Sequence, residues 1–260
     1  MINKVNFFSS WRKFQLAFCD VGDKNAPVVM LIHGFTSSFR INWLSTGWIT
    51  LLSDQGFRVV AIDNLGHGNS DKPYDCNDYR LVLMAEDVVS LLEHLNISKA
   101  HIMGYSMGAR IACSMVLSYP SYVRSVVLGG VGSGLYESSV DWQPVINSFS
   151  LPSIDDVQSP LGRKFRKFAE SVPGNDLQAL SSCLSMTRKL FCKYDLSRID
   201  VPVLIAVGSK DDIAGSPQDL MSLIPSSQHL NINDRDHMLA VGDKQFKAGV
   251  VEFYTKIRYR

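Results

Sequence analysis

Short apolar stretches recur along the chain, separated by segments in which apolar residues return every three or four positions. Val28 to Ile32 is an unbroken apolar run, and Arg58 to Asp63, Ala100 to Gly104, Val123 to Leu128, Val203 to Val207 and Gln228 to Ile232 also read as strands. Continuous rather than alternating apolarity predicts strands covered on both faces, the signature of a parallel sheet. Between the first two runs, Trp43, Leu44, Trp48, Leu51 and Leu52 follow a helical spacing that Gly56 ends. From Tyr79 to Leu95, Leu81, Met84, Ala85, Val88, Leu91 and Leu92 trace a second helix, with Asp78 as its N-cap and Asn96 after it. A third runs from Ala109 to Tyr119 and stops before Pro120, and residues 239–257 form a last amphipathic helix. Strand, helix and strand joined by short links require right-handed crossovers in one parallel sheet. The predicted class is α/β, a mostly parallel central sheet with helices on both faces.

Residues 133–198 break this alternation. They hold Pro144, Pro152, Pro160 and Pro173, many serines and short helical pieces. The reading is an inserted helical lid at 133–198 within a core of 1–132 and 199–260. In the lid, Leu161, Phe165, Phe168 and Val172 form an apolar stripe opposite Arg163, Lys164, Arg166 and Lys167. Charges that simply oppose a stripe are read as a solvated face.

Composition narrows the classes of function. The chain has 260 residues, 46% of them hydrophobic and 20% charged, an ordinary globular mixture. Lys+Arg 26 against Asp+Glu 25 leaves a formal charge of +1, without the basic excess that nucleic-acid binding needs. No apolar run approaches the roughly 20 residues of a membrane span. Met1 to Phe18 is interrupted by Lys4, Asn6, Arg12 and Lys13, so no signal peptide is expected. Cys19, Cys76, Cys113, Cys183 and Cys192 are odd in number and scattered, which reads as reduced thiols and a cytoplasmic location. There is no Cys-x-x-Cys, no His-Glu-x-x-His and no P-loop. The glycines from Gly129 to Gly134 do not fit G-x-G-x-x-G, so neither a metal nor a cofactor is expected.

The chemistry concentrates at Gly104-Tyr105-Ser106-Met107-Gly108, a G-x-S-x-G pattern between a strand and a helix. A serine on so tight a turn needs small neighbours. The helix that starts after it aims free N–H groups at any oxyanion formed there. A hydroxyl is a weak nucleophile until a base takes its proton, so a histidine is required. His33 and His67 lie in glycine-rich loops, His94 on a helix, and His101 and His229 at strand starts. His237 stands in a polar loop after the last strand, where parallel sheets assemble sites, and is the candidate base. A carboxylate must hold the imidazole, and the strand ending at Val207 leads to Asp211 and Asp212, either of which fits.

With these motifs in order, the sequence resembles the α/β-hydrolase superfamily, in particular its small lidded esterase-type members. Leu31-Ile32-His33-Gly34-Phe35 is similar to the family's His-Gly-x oxyanion turn. Asp63 to Ser70 is similar to its D-x-x-G-x-G-x-S loop, and Gly208 to Asp211 to its Gly-x-x-Asp segment. The resemblance covers about residues 28–131 and 199–257. It implies the backbone N–H groups of Phe35 and Met107 as the oxyanion hole and selects Asp211 as the acid. One departure is Asp236, where the family commonly has glycine before the histidine; its side chain is expected to face solvent. Relatives that open epoxides use an aspartate at the elbow, whereas Ser106 favours an acyl-enzyme.

The resulting expectation is a serine hydrolase for a small carboxylic ester or related acyl compound, with Ser106, His237 and Asp211 as catalytic residues. The rivals are a C–C bond hydrolase or lyase using the same triad, to which Asn42, Trp142 and Arg188 are open recruits, and a non-catalytic small-molecule receptor. Oligomeric state is left open.

Overall fold

The computed structural model describes residues 4–138 and 140–257. The ends of the proposed core, residues 1–3 and 258–260, and Ser139 of the proposed lid lie outside the described residues. The strands are β1 (Asn6–Ser9), β2 (Gln15–Val21), β3 (Val28–Ile32), β4 (Arg58–Ile62), β5 (Ala100–Tyr105), β6 (Val123–Gly129), β7 (Val203–Gly208) and β8 (Ser227–Ile232). Among the described residues they make one eight-stranded sheet in the order β1-β2-β4-β3-β5-β6-β7-β8. From β4 to β8 every pairing is parallel, as the apolar runs predict. β3, β4, β5 and β7 are buried at every position.

Two strands have no counterpart in the sequence reading. β1 and β2 form an antiparallel hairpin that adds to β4, also antiparallel. Helices cover both faces. α1 (Trp48–Asp54) and α9 (Lys244–Ile257) pack on one side through Trp48, Ile49, Leu52, Phe246 and Val250. On the other lie α2 (Leu81–His94) and α3 (Met107–Ser118), with Val88, Leu92, Ile111 and Met115 in the second apolar layer.

Local chemistry corrects several element boundaries. Asp78 does not cap α2. It belongs to a 3-10 turn, Cys76–Tyr79, which Asp75 caps by accepting the Asn77 N–H at 2.9 Å, and α2 begins only at Leu81. The last helix starts at Lys244 rather than 239, because Asp243 accepts the Gln245 N–H at 2.7 Å and separates α9 from a short turn at Ala240–Gly242. Gly56 does end α1. At φ +80° it lets the Phe57 N–H reach back to Leu52 O at 3.1 Å.

Between β6 and β7 the chain runs through α4 (Gln143–Ser148), α5 (Pro160–Ser171), α6 (Leu177–Thr187) and α7 (Lys193–Ser197), and α8 (Pro217–Leu223) joins β7 to β8. The basic row of α5 is not all solvated. Arg166 is only 4% exposed and donates to Ser148 O at 2.7 Å and Leu151 O at 3.0 Å, while its Nε bonds Glu170. It ties α5 to the end of α4. No described helix is long and apolar enough to cross a membrane.

At its first turn α3 meets the sheet so closely that no Cβ fits at Gly104 or Gly108. A Cβ on Gly108 would stand 2.0 Å from Ile32 O, and one on Gly104 would stand 2.2 Å from Gly108 O. Gly108→Ala is therefore expected to lower the unfolding free energy by roughly 1–3 kcal/mol, read from the urea midpoint; an unchanged midpoint would show that β3 and α3 separate at little cost.

Candidate active site

β5 carries the chain into the turn at full burial, and α3 leaves it at Met107. Ser106 between them has φ 54° and ψ −112°, outside the usual regions for an L-residue. The turn is held because the Ser106 N–H donates to Gly129 O at 2.8 Å, while Ser106 O accepts from Ala109 at 3.1 Å and Arg110 at 3.2 Å.

Ser106 Oγ lies 2.8 Å from His237 Nε2, and His237 Nδ1 lies 2.8 Å from Asp211 Oδ2. The Asp211 carboxylate is enclosed, and its other oxygen accepts the N–H groups of Ile213 at 3.0 Å and Ala214 at 2.9 Å. A carboxylate only accepts, so Nδ1 carries the imidazole proton and Nε2 is free to accept from the serine hydroxyl. Asp212 is exposed and takes no part. The Tyr105 hydroxyl donates to His237 O at 2.6 Å, tying the loop of the histidine to the strand of the serine. Asp236 does not simply face water. Its Oδ1 caps the next turn by accepting from Met238 at 3.0 Å and Leu239 at 2.9 Å, and Oδ2 faces Lys164 of α5 at 3.4 Å.

The N–H groups of Phe35 and Met107 have no acceptor among the described residues. Gly34 sits against Ser106, its N–H held by Asn42 Oδ1 at 2.7 Å. His33 completes this support. Its Nδ1 donates to Gly34 O at 2.7 Å and its Nε2 accepts the Asn64 N–H at 3.0 Å. A cavity of about 310 Å³ opens onto Ser106 and His237, walled by Phe35, Ile41, Phe165, Phe168 and Val241. A larger cleft of about 490 Å³, lined by Lys24, Lys99 and Arg124, lies at the opposite strand ends and holds none of these groups.

Residues 27–160 match the α/β-hydrolase fold family. The chain belongs to that family. This α/β hydrolase is 26% identical over 267 residues, 93% of its length and 95% of the relative's, to a Bacillus subtilis (strain 168) protein provisionally named 2-succinyl-6-hydroxy-2,4-cyclohexadiene-1-carboxylate synthase. It is 32% identical over 136 residues to a 2-hydroxy-6-oxononadienedioate/2-hydroxy-6-oxononatrienedioate hydrolase of Burkholderia vietnamiensis (strain G4 / LMG 22486), a match covering 50% of this chain and 44% of that one. Its fold superposes on a meta-cleavage product hydrolase of Pseudomonas fluorescens IP01 with a TM-score of 0.72 and 25% identity, covering 96% of this chain and 97% of that one.

Sequence reasoning passed over two residues and could not place a third. Arg110, in the first turn of α3, donates to Gly134 O at 3.0 Å, Thr187 O at 2.8 Å and Lys189 O at 2.7 Å. A charged residue amid Ala109, Ile111 and Ala112 was its one visible signal. Asn175, between α5 and α6, donates to Thr36 O at 2.8 Å, and nothing local announces it. Arg188, an open recruit in the sequence, is half-buried with its guanidinium 3.5 Å from the Trp142 ring centre, and its enclosed Nε and Nη2 have no partner among the described residues. Burial, with Arg110 nearby, pushes its pKa well down.

Two histidines behind the turn are fully enclosed, 5.2 Å apart between ring centres. Burial lowers the His67 pKa from 6.5 to about 4 and holds His33 well below its ordinary value. The unfolded chain therefore binds these protons first. The stability the two rings contribute is complete above about pH 6.5 and is lost as pH falls toward 4. Asp63 and Asp87, raised by burial to about 6, act in the opposite sense over the same window. Comparing wild type with His67→Asn, which keeps a donor for Leu65 O, isolates the histidine. Urea midpoints at pH 6.5 and 4.5 should show a smaller acid loss in the variant, and equal losses would mean that His67 is not held neutral.

Proposed function

We propose that this α/β hydrolase is a serine hydrolase that cleaves a carboxylic ester or related acyl compound through an acyl-enzyme. The observation that carries the reading is the pair of 2.8 Å contacts joining Ser106, His237 and Asp211 in line at a strained turn. Ser106 Oγ attacks the carbonyl carbon while His237 Nε2 takes its proton, and Asp211 stabilises the imidazolium. The carbonyl oxygen, now an anion, accepts from the Phe35 and Met107 N–H groups, each worth about 2.7–4 kcal/mol in the transition state. The C–O bond breaks and Nε2 returns the proton to the leaving alcohol. Water, deprotonated by the same nitrogen, then attacks the acyl-enzyme; the acyl C–Oγ bond breaks, Nε2 returns the proton to Ser106 Oγ, and the acid is released. The helices of residues 133–198 act as a lid, since Phe165 and Phe168 wall the cavity.

The test is hydrolysis of p-nitrophenyl esters of increasing acyl length by wild type and Ser106→Ala. The wild type should turn over and the variant should lose about four orders of magnitude or more in kcat. Equal inactivity on every ester would remove the reading.

A second reading concerns the substrate and rests on Arg188. A guanidinium with two enclosed nitrogens left without acceptors is costly, and Arg110 beside it meets only neutral carbonyls. A substrate carboxylate would settle both. The relatives fit, being named for a carboxylate and a dienedioate, and on such a substrate the same residues support C–C hydrolysis or lyase chemistry. Arg188→Met should lower kcat/KM for a p-nitrophenyl hemiester of a dicarboxylic acid by about 10- to 100-fold, with little change for the matched neutral ester. Equal loss on both esters would assign Arg188 a packing role.

A further inference from the structure

The turn that presents the Phe35 N–H contains a residue in an unfavourable conformation. Thr36 has φ +62° and is fully buried. A β-branched side chain rarely adopts the left-handed region, and such a conformer persists only where its surroundings impose it. Within the turn, Thr36 Oγ1 donates to Phe35 O at 2.6 Å. From outside, Asn175 Nδ2 donates to Thr36 O at 2.8 Å and also to Ala169 O, near the end of α5, at 3.1 Å. The amide cannot be reversed, because its oxygen would then face two carbonyl oxygens. As placed, Oδ1 is buried without a partner, so the two donated bonds are all that the side chain makes. The segment carrying it is docked beside the turn. Gly174 has φ +83°, and a Cβ there would stand 3.1 Å from Gly68 O, while Asp176 Oδ2 accepts from the Tyr74 hydroxyl at 3.0 Å.

We infer that Asn175 is a positioning residue. It holds Thr36 in its strained conformer and so aims the Phe35 N–H at the oxyanion, which makes lid docking and assembly of the oxyanion hole a single event. This rests on the reading of Phe35 as an oxyanion donor. With the lid displaced, the bond to Thr36 O is lost, the residue relaxes, and the donor swings away from Ser106. Hydrolysis is then restricted to the closed state, in which substrate is already enclosed.

The inference is tested by a rescue. Asn175→Ala should lower kcat on a short p-nitrophenyl ester by at least about ten-fold with KM nearly unchanged, as for a displaced oxyanion donor. Thr36→Gly removes the strain, so adding it to Asn175→Ala should restore kcat to about that of Thr36→Gly alone. Amide exchange across residues 34–37, followed by mass spectrometry, should rise in Asn175→Ala and return in the double variant. If Asn175→Ala does not fold, Asn175→Asp keeps the shape, removes the donor and carries the same expectations. Unchanged kcat and exchange, or a loss that Thr36→Gly leaves in place, overturns the inference and leaves Asn175 only a structural tie. Exchange needs no turnover, so a wild type inactive on every ester defeats the hydrolase reading while the exchange comparison still decides this one.

Discussion

The closest constraint in the molecule is the contact between the end of β3 and the start of α3, where Gly104, Gly108 and the carbonyl of Ile32 leave no space for a methyl group. Because the helix presses this hard on the sheet, the chain can pass from β5 to α3 only through a conformation such as that of Ser106. The serine side chain is thereby pushed clear of both elements, to the one place where loops following β3, β7 and β8 also arrive. The hydrogen bond from Tyr105 to the His237 carbonyl and the enclosure of Asp211 by two backbone amides extend the same rigidity outward. Strain of this kind survives only in a surround that over-determines it, and two full apolar layers supply that surround.

How much of this was legible follows from which interactions are local. The central strands were readable because they are buried on both faces, and continuous apolarity is what such burial demands. The hairpin was not. β1 has four residues that alternate in exposure, and β2 sets Leu16 to Cys19 against an outer Gln15 and Asp20, a pattern too short to separate from a loop. Helix starts slipped where an aspartate fixes the local turn: Asp75 caps a 3-10 segment ahead of α2, and Asp243, just before Lys244, accepts from the first turn of α9. The candidate nucleophile and base were legible because glycines and strand ends mark them in order, the acid was narrowed to Asp211 or Asp212 until the family resemblance selected Asp211, and the structure brings Ser106, His237 and Asp211 together.

The residues that escaped notice act over long separations in the chain. Arg166 was assigned to solvent from its position on the α5 face, but periodicity gives the direction of the Cβ and not the reach of a long side chain, whose guanidinium turns back to two carbonyls. Asn175 reaches Thr36 across 139 positions, and Arg110 reaches Thr187 across 77. No composition or spacing rule anticipates such pairs. They are properties of the folded surface shared by the sheet and the insertion.

Arg110 gathers carbonyls from both stems of that insertion, Gly134 where the chain leaves the sheet and Thr187 and Lys189 where it comes back. The two stems are thus fastened to one another and to the helix of the elbow at a single root. Away from this root the insertion meets the core again, where Asn175 bonds the Thr36 carbonyl, so the stems and the intervening helices are held to the core at separate places.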